Sequence, residues 1–250
     1  MKDILLALRK TSLVDYPGKI SAVLFFPGCN LACPWCHNPE LVRRRFDDGG
    51  RLENGITLNE ALSFFDKRRN VLEAVVLSGG EATLYKDLPE LITSIKKINL
   101  LVKLDTNGTR PDMLEHLFAH PLTRPDYIAL DIKLSPSRYI ELSNHQTQTD
   151  FGELCNSGEL LKKSADLISR YNIEHEYRSL ILPDQYLKEH DIDEMAELID
   201  DAPWMFRPFI PGNCLDESWN AFSQTSADEQ NLLIQRARSL GKNVVFFRPH

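Results

Sequence analysis

Apolar residues fall in short continuous runs along this chain, each followed by a polar turn and then by apolar positions at helical spacing. The runs at 20–26, 73–77, 100–105, 126–132, 173–181, 204–210 and 243–247 read as strands. Most are unbroken rather than alternating, as expected for parallel strands covered on at least one face. Between them, 57–69, 88–98, 111–119, 158–170, 185–199 and 227–240 carry helical periodicity, as in Leu88, Leu91, Ile92, Ile95 and Ile98. Thr57 followed by Glu60 predicts a capping box at the start of the first of these helices. Regular alternation of strand and helix imposes right-handed crossovers and a mainly parallel sheet. The pattern fits a partly closed barrel or an open doubly wound sheet, and periodicity does not choose between them. In either, chemistry gathers in the loops after the carboxyl ends of the strands.

Composition narrows the picture. No repeat, low-complexity tract or linker divides the 250 residues, so one domain over 1–250 is expected. A net charge of -7 and a pI of about 5.5 argue against a nucleic-acid partner held by a general basic field. Arg43, Arg44 and Arg45 form the longest basic run, and with Asp47 and Asp48 nearby they read as a solvated loop. No stretch reaches the ~18 apolar residues a membrane span requires. Residues 1–10 are apolar but short and lack a small-residue cleavage site, unlike a signal peptide. Three of the five cysteines crowd into eight positions, which is no secreted disulfide framework. A cytoplasmic location is expected, where thiols stay reduced.

The crowded cysteines are Cys29, Cys33 and Cys36, a C-x3-C-x2-C loop directly after the first run. A loop this short can wrap three thiolates around one iron–sulfur cube. Three ligands leave one iron open for chemistry, as catalytic zinc sites keep a position open. Other unusual residues also stand at strand ends. Ser78-Gly79-Gly80-Glu81 follows the second strand and Asp105-Thr106-Asn107-Gly108 the third. Asp131-Ile132-Lys133 ends the fourth, Arg178 lies on the fifth, and Arg207-Pro208-Phe209-Ile210-Pro211-Gly212 closes the sixth. Singly, each has a bland reading: Gly-Gly and Asn-Gly are common turns, and strand-end charges are commonly solvated. Together on one rim, with a cysteine triplet, they suggest a ligand site. Gly79 and Gly80 would let backbone approach a ligand and offer carbonyls to an amine. Glu81 could accept from the same ammonium or hold its loop. Asp105 suits ribose hydroxyls, and Lys133 a carboxylate. S-adenosylmethionine carries all three groups.

The cysteine spacing, with an aromatic before the last cysteine and a later Gly-Gly-Glu, resembles the signature of radical S-adenosylmethionine enzymes. The run from Lys10 to Lys19 (KTSLVDYPGK), leading into Cys36-His37-Asn38-Pro39-Glu40, resembles the activating proteins of anaerobic ribonucleoside-triphosphate reductase. The likeness covers about 10–215. It implies an α/β fold of the partial, open parallel β/α barrel type, with a core over about 15–215 and an added C-terminal helix and strand. It also implies a 4Fe–4S cluster on Cys29, Cys33 and Cys36, its open iron chelated by the methionine amine and carboxylate. Trp35 would lie near the adenine. Gly79, Gly80 and Glu81 would take the amine, Asp105 the ribose, and Asp131 and Lys133 the methionyl end; Asn38 and Arg178 are further candidates. Ala82 departs from the pattern, where proline often follows the glutamate.

The activity so implied is that of a glycyl-radical activase, with anaerobic ribonucleotide reductase as protein substrate and a flavodoxin or ferredoxin as electron donor. Another glycyl-radical enzyme such as pyruvate formate-lyase, or a peptide or modified-base precursor, stays open as substrate. Extra clusters often accompany those last substrates, and only Cys155 and Cys214 are left to hold one. A structural zinc site on Cys29, Cys33, Cys36 and His37 is the reading that is not an enzyme, and the adjacency of Cys36 and His37 argues against it.

Overall fold

A computed structural model describes residues 4–42, 55–142 and 157–247. The chain forms two compact units. The first comprises Met1–Asn30, Glu40–Thr106 and Asp112–Ile128; the second comprises Leu31–Pro39, Asn107–Pro111 and Ala129–His250.

In the first unit the strands are β1 (Ala7–Ser12), β2 (Ser21–Phe26), β3 (Ala74–Gly79) and β4 (Leu101–Thr106). Helices α1 (Pro39–Val42), α2 (Leu58–Arg68), α3 (Leu88–Lys97) and α4 (Pro111–Phe118) accompany them. β2, β3 and β4 pair in parallel, with Val23 opposite Val76 and Val75 opposite Val102. Ala22, Leu24, Phe26, Val75, Val76, Leu77, Val102 and Leu104 are fully buried, which is why these runs show no polar alternation. β3 begins one residue later than the apolar run suggests, because Glu73 is used as a cap. Its carboxylate accepts from the Ile20 amide at 2.9 Å and from Lys19 Nζ at 3.2 Å. Asp126, just before β5, does the same for the Val102 amide at 2.8 Å.

β1 is the strand the pattern does not reveal. It pairs antiparallel with β2, Leu8 opposite Leu24, and its outer residues Arg9, Lys10 and Thr11 are exposed. Charge on an edge strand discourages pairing with other chains, and it also erases the apolar signal. Beyond β1 the Lys10–Lys19 run folds as a turn. Ser12 Oγ accepts from the amides of Val14 and Asp15, each at 3.2 Å. Tyr16 then joins a core cluster with Val23, Ala74, Val76 and Tyr127, while Leu13 and Val14 stand exposed.

β5 (Tyr127–Asp131) runs across the division of the chain. The second unit adds β6 (Glu174–Ile181), β7 (Trp204–Pro208) and β8 (Val244–Phe246), with α5 (Ser157–Arg170), α6 (Glu189–Ala196) and α7 (Ala227–Ser239). β6, β7 and β8 are parallel, Tyr177 opposite Trp204 and Trp204 opposite Val244. α6 is shorter than its periodicity suggests. Asp184 and Gln185 have positive φ and turn the chain, and the helix starts only where Asp191 Oδ2 accepts from the Lys188 amide at 2.9 Å. Among the described residues β1 pairs with β2 alone and β8 with β7 alone. The fold is therefore α/β, mostly parallel and not closed. No helix among the described residues is long and apolar enough to cross a membrane.

The Thr57–Glu60 capping box forms, with Glu60 Oε2 accepting from the Thr57 amide at 2.8 Å. A second box, Ser226 with Glu229, opens α7.

Candidate active site

In the first unit the loop after β3 is built on the loop after β2. Gly80 N donates to Phe26 O at 2.8 Å and Glu81 N donates to Gly28 O at 2.9 Å. A Cβ on Gly79 would collide with the backbone of Phe26, and one on Gly80 with the backbone of Gly28. Gly79 also has φ +120, which L side chains rarely adopt. The two glycines thus let one backbone pass against another, directly before Cys29. Gly28 in turn donates to Leu41 O at 2.7 Å, tying the start of the cysteine loop to α1.

Glu81 is buried, and its Oε1 accepts from Thr83 N at 3.1 Å, Thr83 Oγ1 at 2.6 Å and Thr106 Oγ1 at 2.9 Å. Of its two readings, holding the loop is the one with geometry behind it. Ala82 starts a 3-10 turn (Ala82–Leu84) for which Glu81 is the cap, so the missing proline leaves a defined loop. Asp105 pairs with Lys103 at 3.1 Å. Lys103 is itself only 2% exposed, donates to Asp15 O at 2.7 Å and lies 5.7 Å from the Tyr127 ring. The Lys10–Lys19 run is therefore joined to the end of β4 through one buried lysine.

In the second unit the cysteine loop continues with Ala32 N donating to Leu142 O at 2.7 Å and Cys36 N to Cys33 O at 3.0 Å. Asp131 is held by two cations: Arg178 Nε donates to Oδ1 at 2.7 Å and Lys133 Nζ to Oδ2 at 3.3 Å. Burial pushes the Asp131 carboxyl up, but Arg178 and Lys133 outweigh it and hold the group well below the usual carboxylate range. Tyr139, fully buried, donates to Asp131 O at 3.0 Å and accepts from Lys133 N at 3.2 Å, which fixes the turn between them. Burial pushes the Cys33 thiol up to about 12; Lys133 opposes this, and Cys36 and Asp131 add to it. Cys33 is thus a neutral thiol until something replaces its proton.

Trp35 is 3% exposed, its ring 5.7 Å from that of Tyr186 and 5.1 Å from that of Trp219. His37 lies 6.2 Å from the Phe209 ring. Asn107 closes a tight turn by accepting from Thr109 N at 3.0 Å and Thr109 Oγ1 at 2.7 Å. Gly108 O accepts from Ser164 Oγ at 2.6 Å, so the Asn-Gly pair is a turn.

In the first unit Gly79, Gly80 and Glu81 lie at the base of the cysteine loop, and Asp105 lies beside Lys103 at the end of β4. The second unit groups Cys33, Cys36, Asp131, Lys133 and the aromatic pocket of Trp35. Arg178, already a candidate from its place on the fifth strand, belongs to this second group. Trp219 and Lys103 carried no signal beyond their residue types. Cys29, Cys33, Cys36 and Cys214 are thiols rather than disulfides, and Cys214 is buried. Cys155, His145, His250 and the Arg43–Arg45 run lie outside the described residues. Among the described residues, no three His, Cys, Asp or Glu side chains are gathered as they would be around a single metal ion. Three reduced thiols within eight positions, with Lys133 beside Cys33, are a soft donor set suited to an iron–sulfur cluster.

Residues 23–199 match the radical SAM superfamily, and the chain belongs to it. The cofactors of that family are a 4Fe–4S cluster and S-adenosylmethionine, and the chain is a radical SAM enzyme. It is 32% identical over 247 residues to a Methanocaldococcus jannaschii protein named, provisionally, a glycyl-radical enzyme activating enzyme, covering 98% of this chain and 96% of that one. It is also 32% identical over 142 residues to the pyruvate formate-lyase-activating enzyme of Streptococcus mutans, covering 54% of this chain and 53% of that one. In fold it is similar to a radical SAM methyltransferase from Sphaerobacter thermophilus, with a TM-score of 0.63 at 14% identity, over 98% of this chain and 78% of that one.

Proposed function

We propose that this chain activates a glycyl-radical enzyme, and that its protein substrate is an anaerobic ribonucleotide reductase. The observation that carries this reading is the C-x3-C-x2-C run on a chain similar over its whole length to a glycyl-radical activating enzyme. The choice of reductase rests on the Lys10–Lys19 run and the Cys36–Glu40 sequence. Cys29, Cys33 and Cys36 are the cluster ligands. When bound, the cluster and S-adenosylmethionine supply, with one electron, a 5′-deoxyadenosyl radical able to take a hydrogen from a glycine Cα.

The chain's own residues bind and orient. Lys133 and Arg178 exceed Asp131 by one positive charge and suit the methionyl carboxylate. The Gly79-Gly80-Glu81 loop offers carbonyls for the amine, and Asp105, steadied by Lys103, accepts from the ribose. Trp35 bounds the adenine side. The electron comes from a flavodoxin or ferredoxin, and the reaction belongs in the reducing cytoplasm.

The test is anaerobic reconstitution with S-adenosylmethionine, reductant and candidate partner, watched by electron paramagnetic resonance. A glycyl doublet on the reductase, and none on pyruvate formate-lyase, is expected. A doublet on the lyase alone overturns the choice of partner.

A further inference from the structure

The radical SAM family model matches residues 23–199, yet the chain beyond that span holds the second half of the cysteine loop. Asn213 Nδ2 donates to His37 O at 3.1 Å, and Asp216 N donates to Pro34 O at 3.0 Å. These two carbonyls flank Trp35 and Cys36. From Cys33 to His37 the backbone lies in neither helix nor strand. Pro34 has no N–H to donate, and within the arm Cys36 N donates to Cys33 O at 3.0 Å. Support from outside the arm therefore counts.

The supporting segment is itself well ordered. Asp216 Oδ1 accepts from Ser218 N at 2.9 Å and Ser218 Oγ at 2.7 Å, opening a 3-10 turn over Glu217–Ala221. Asn220 Oδ1 accepts from Cys214 N at 3.0 Å and closes the segment on itself. That turn aims Trp219 inward. Its ring lies 5.1 Å from Trp35, 5.2 Å from Tyr186, 5.9 Å from Phe209 and 5.3 Å from Phe222, and it is 7% exposed. Aromatic rings at these separations add to burial alone.

We propose that residues 213–219 brace the Cys33–Cys36 arm, with Trp219 a positioning residue that acts on Cys36 through Trp35 and through the Pro34 and His37 carbonyls. This rests on the reading of Cys36 as a cluster ligand. Partners that orient a ligand govern how firmly the group is held, by about 10–100-fold where they have been removed from metal sites.

The test uses the full chain, reconstituted anaerobically with iron and sulfide, and follows iron loss to a ferrous chelator. Trp219→Ala is expected to lose iron about tenfold faster than wild type, and Trp219→Phe less so, since a ring remains. Asn213→Gly, which keeps the positive φ of +54 and removes the amide, is expected to fall between wild type and Trp219→Ala. Ile234→Ala, a core truncation in α7, destabilises the unit and is expected to keep the wild-type rate. Wild-type rates in both Trp219→Ala and Asn213→Gly overturn the brace, as does Ile234→Ala losing iron as fast as Trp219→Ala. If Trp219→Ala fails to fold, Asn213→Gly decides by the same comparison. A wild-type chain that takes up no iron overturns the cluster assignment itself, and the brace with it.

Discussion

The loop after β3 and the turn after β5 both carry residues of the candidate site, and they are held by different forces. In the first, Gly79 and Gly80 press against the backbone of Phe26 and Gly28, and Glu81 accepts from hydroxyl and amide hydrogens. In the second, Asp131 is clasped by Arg178 and Lys133. A backbone contact has no charge to titrate and no side chain to rotate away. An ion pair does respond to pH, and its strength depends on how far water is excluded. The first unit therefore contributes a rigid loop, and the second an adjustable cationic turn. Glycines that look, in sequence, like access for a ligand are first of all access for the chain's own backbone.

Gly80→Ala should be the most damaging change in either loop. The added Cβ meets backbone that cannot swing aside, so a loss of at least about 3 kcal/mol is expected in urea unfolding, the same at pH 7 and pH 5. A loss below 1 kcal/mol would mean that the two loops are not packed as described. Arg178→Ala is expected to cost about 2 kcal/mol at pH 7, in the range for hydrogen bonds to charged groups. Its sign with pH follows from Asp131. A carboxyl held below its usual range contributes stability above the unfolded pKa, and that stability is lost as pH falls through the folded value. The deficit of Arg178→Ala should therefore shrink on acidification below about pH 4. A deficit that stays constant to pH 2 would show that packing, not charge, is what Arg178 supplies.

Thr106→Val removes one of the donors to Glu81 with little change in shape, and about 1 kcal/mol is expected by denaturant melting. Thr83 still satisfies the carboxylate, so a loss above 3 kcal/mol would contradict that picture. The smallest effects are at the caps. Thr57→Ala in the first unit and Ser226→Ala in the second remove equivalent capping-box hydroxyls and should each cost about 1 kcal/mol. Melting midpoints that move for one and not the other would show that the two units do not unfold together.

Much of this architecture is legible in the sequence. Seven apolar runs appear as strands within a few residues of their expected ends, because buried parallel strands leave no polar interruptions. The ends that moved did so for local reasons: Glu73 and Asp126 turn their carboxylates onto neighbouring amides, and Pro208 closes β7. β1 was missed because Arg9 and Lys10 lie on an exposed edge. Nothing in the sequence singles out Lys103, and only the fold shows it reaching Asp15 and Asp105. Trp35 could be placed by its neighbour Cys36, but its partners Tyr186 and Trp219 are more than 150 residues away in the chain. Contacts over that separation have no local signature. The brace from 213 to 219 was invisible for the same reason.

In the proposed function Cys29, Cys33 and Cys36 hold the cluster at which S-adenosylmethionine is cleaved. The most direct test of this assignment is the yield of 5′-deoxyadenosine from the anaerobically reconstituted chain with S-adenosylmethionine and a strong reductant, wild type against Cys33→Ala. The wild type is expected to form the product and Cys33→Ala none. Full product from Cys33→Ala would show that Cys33 is not a cluster ligand.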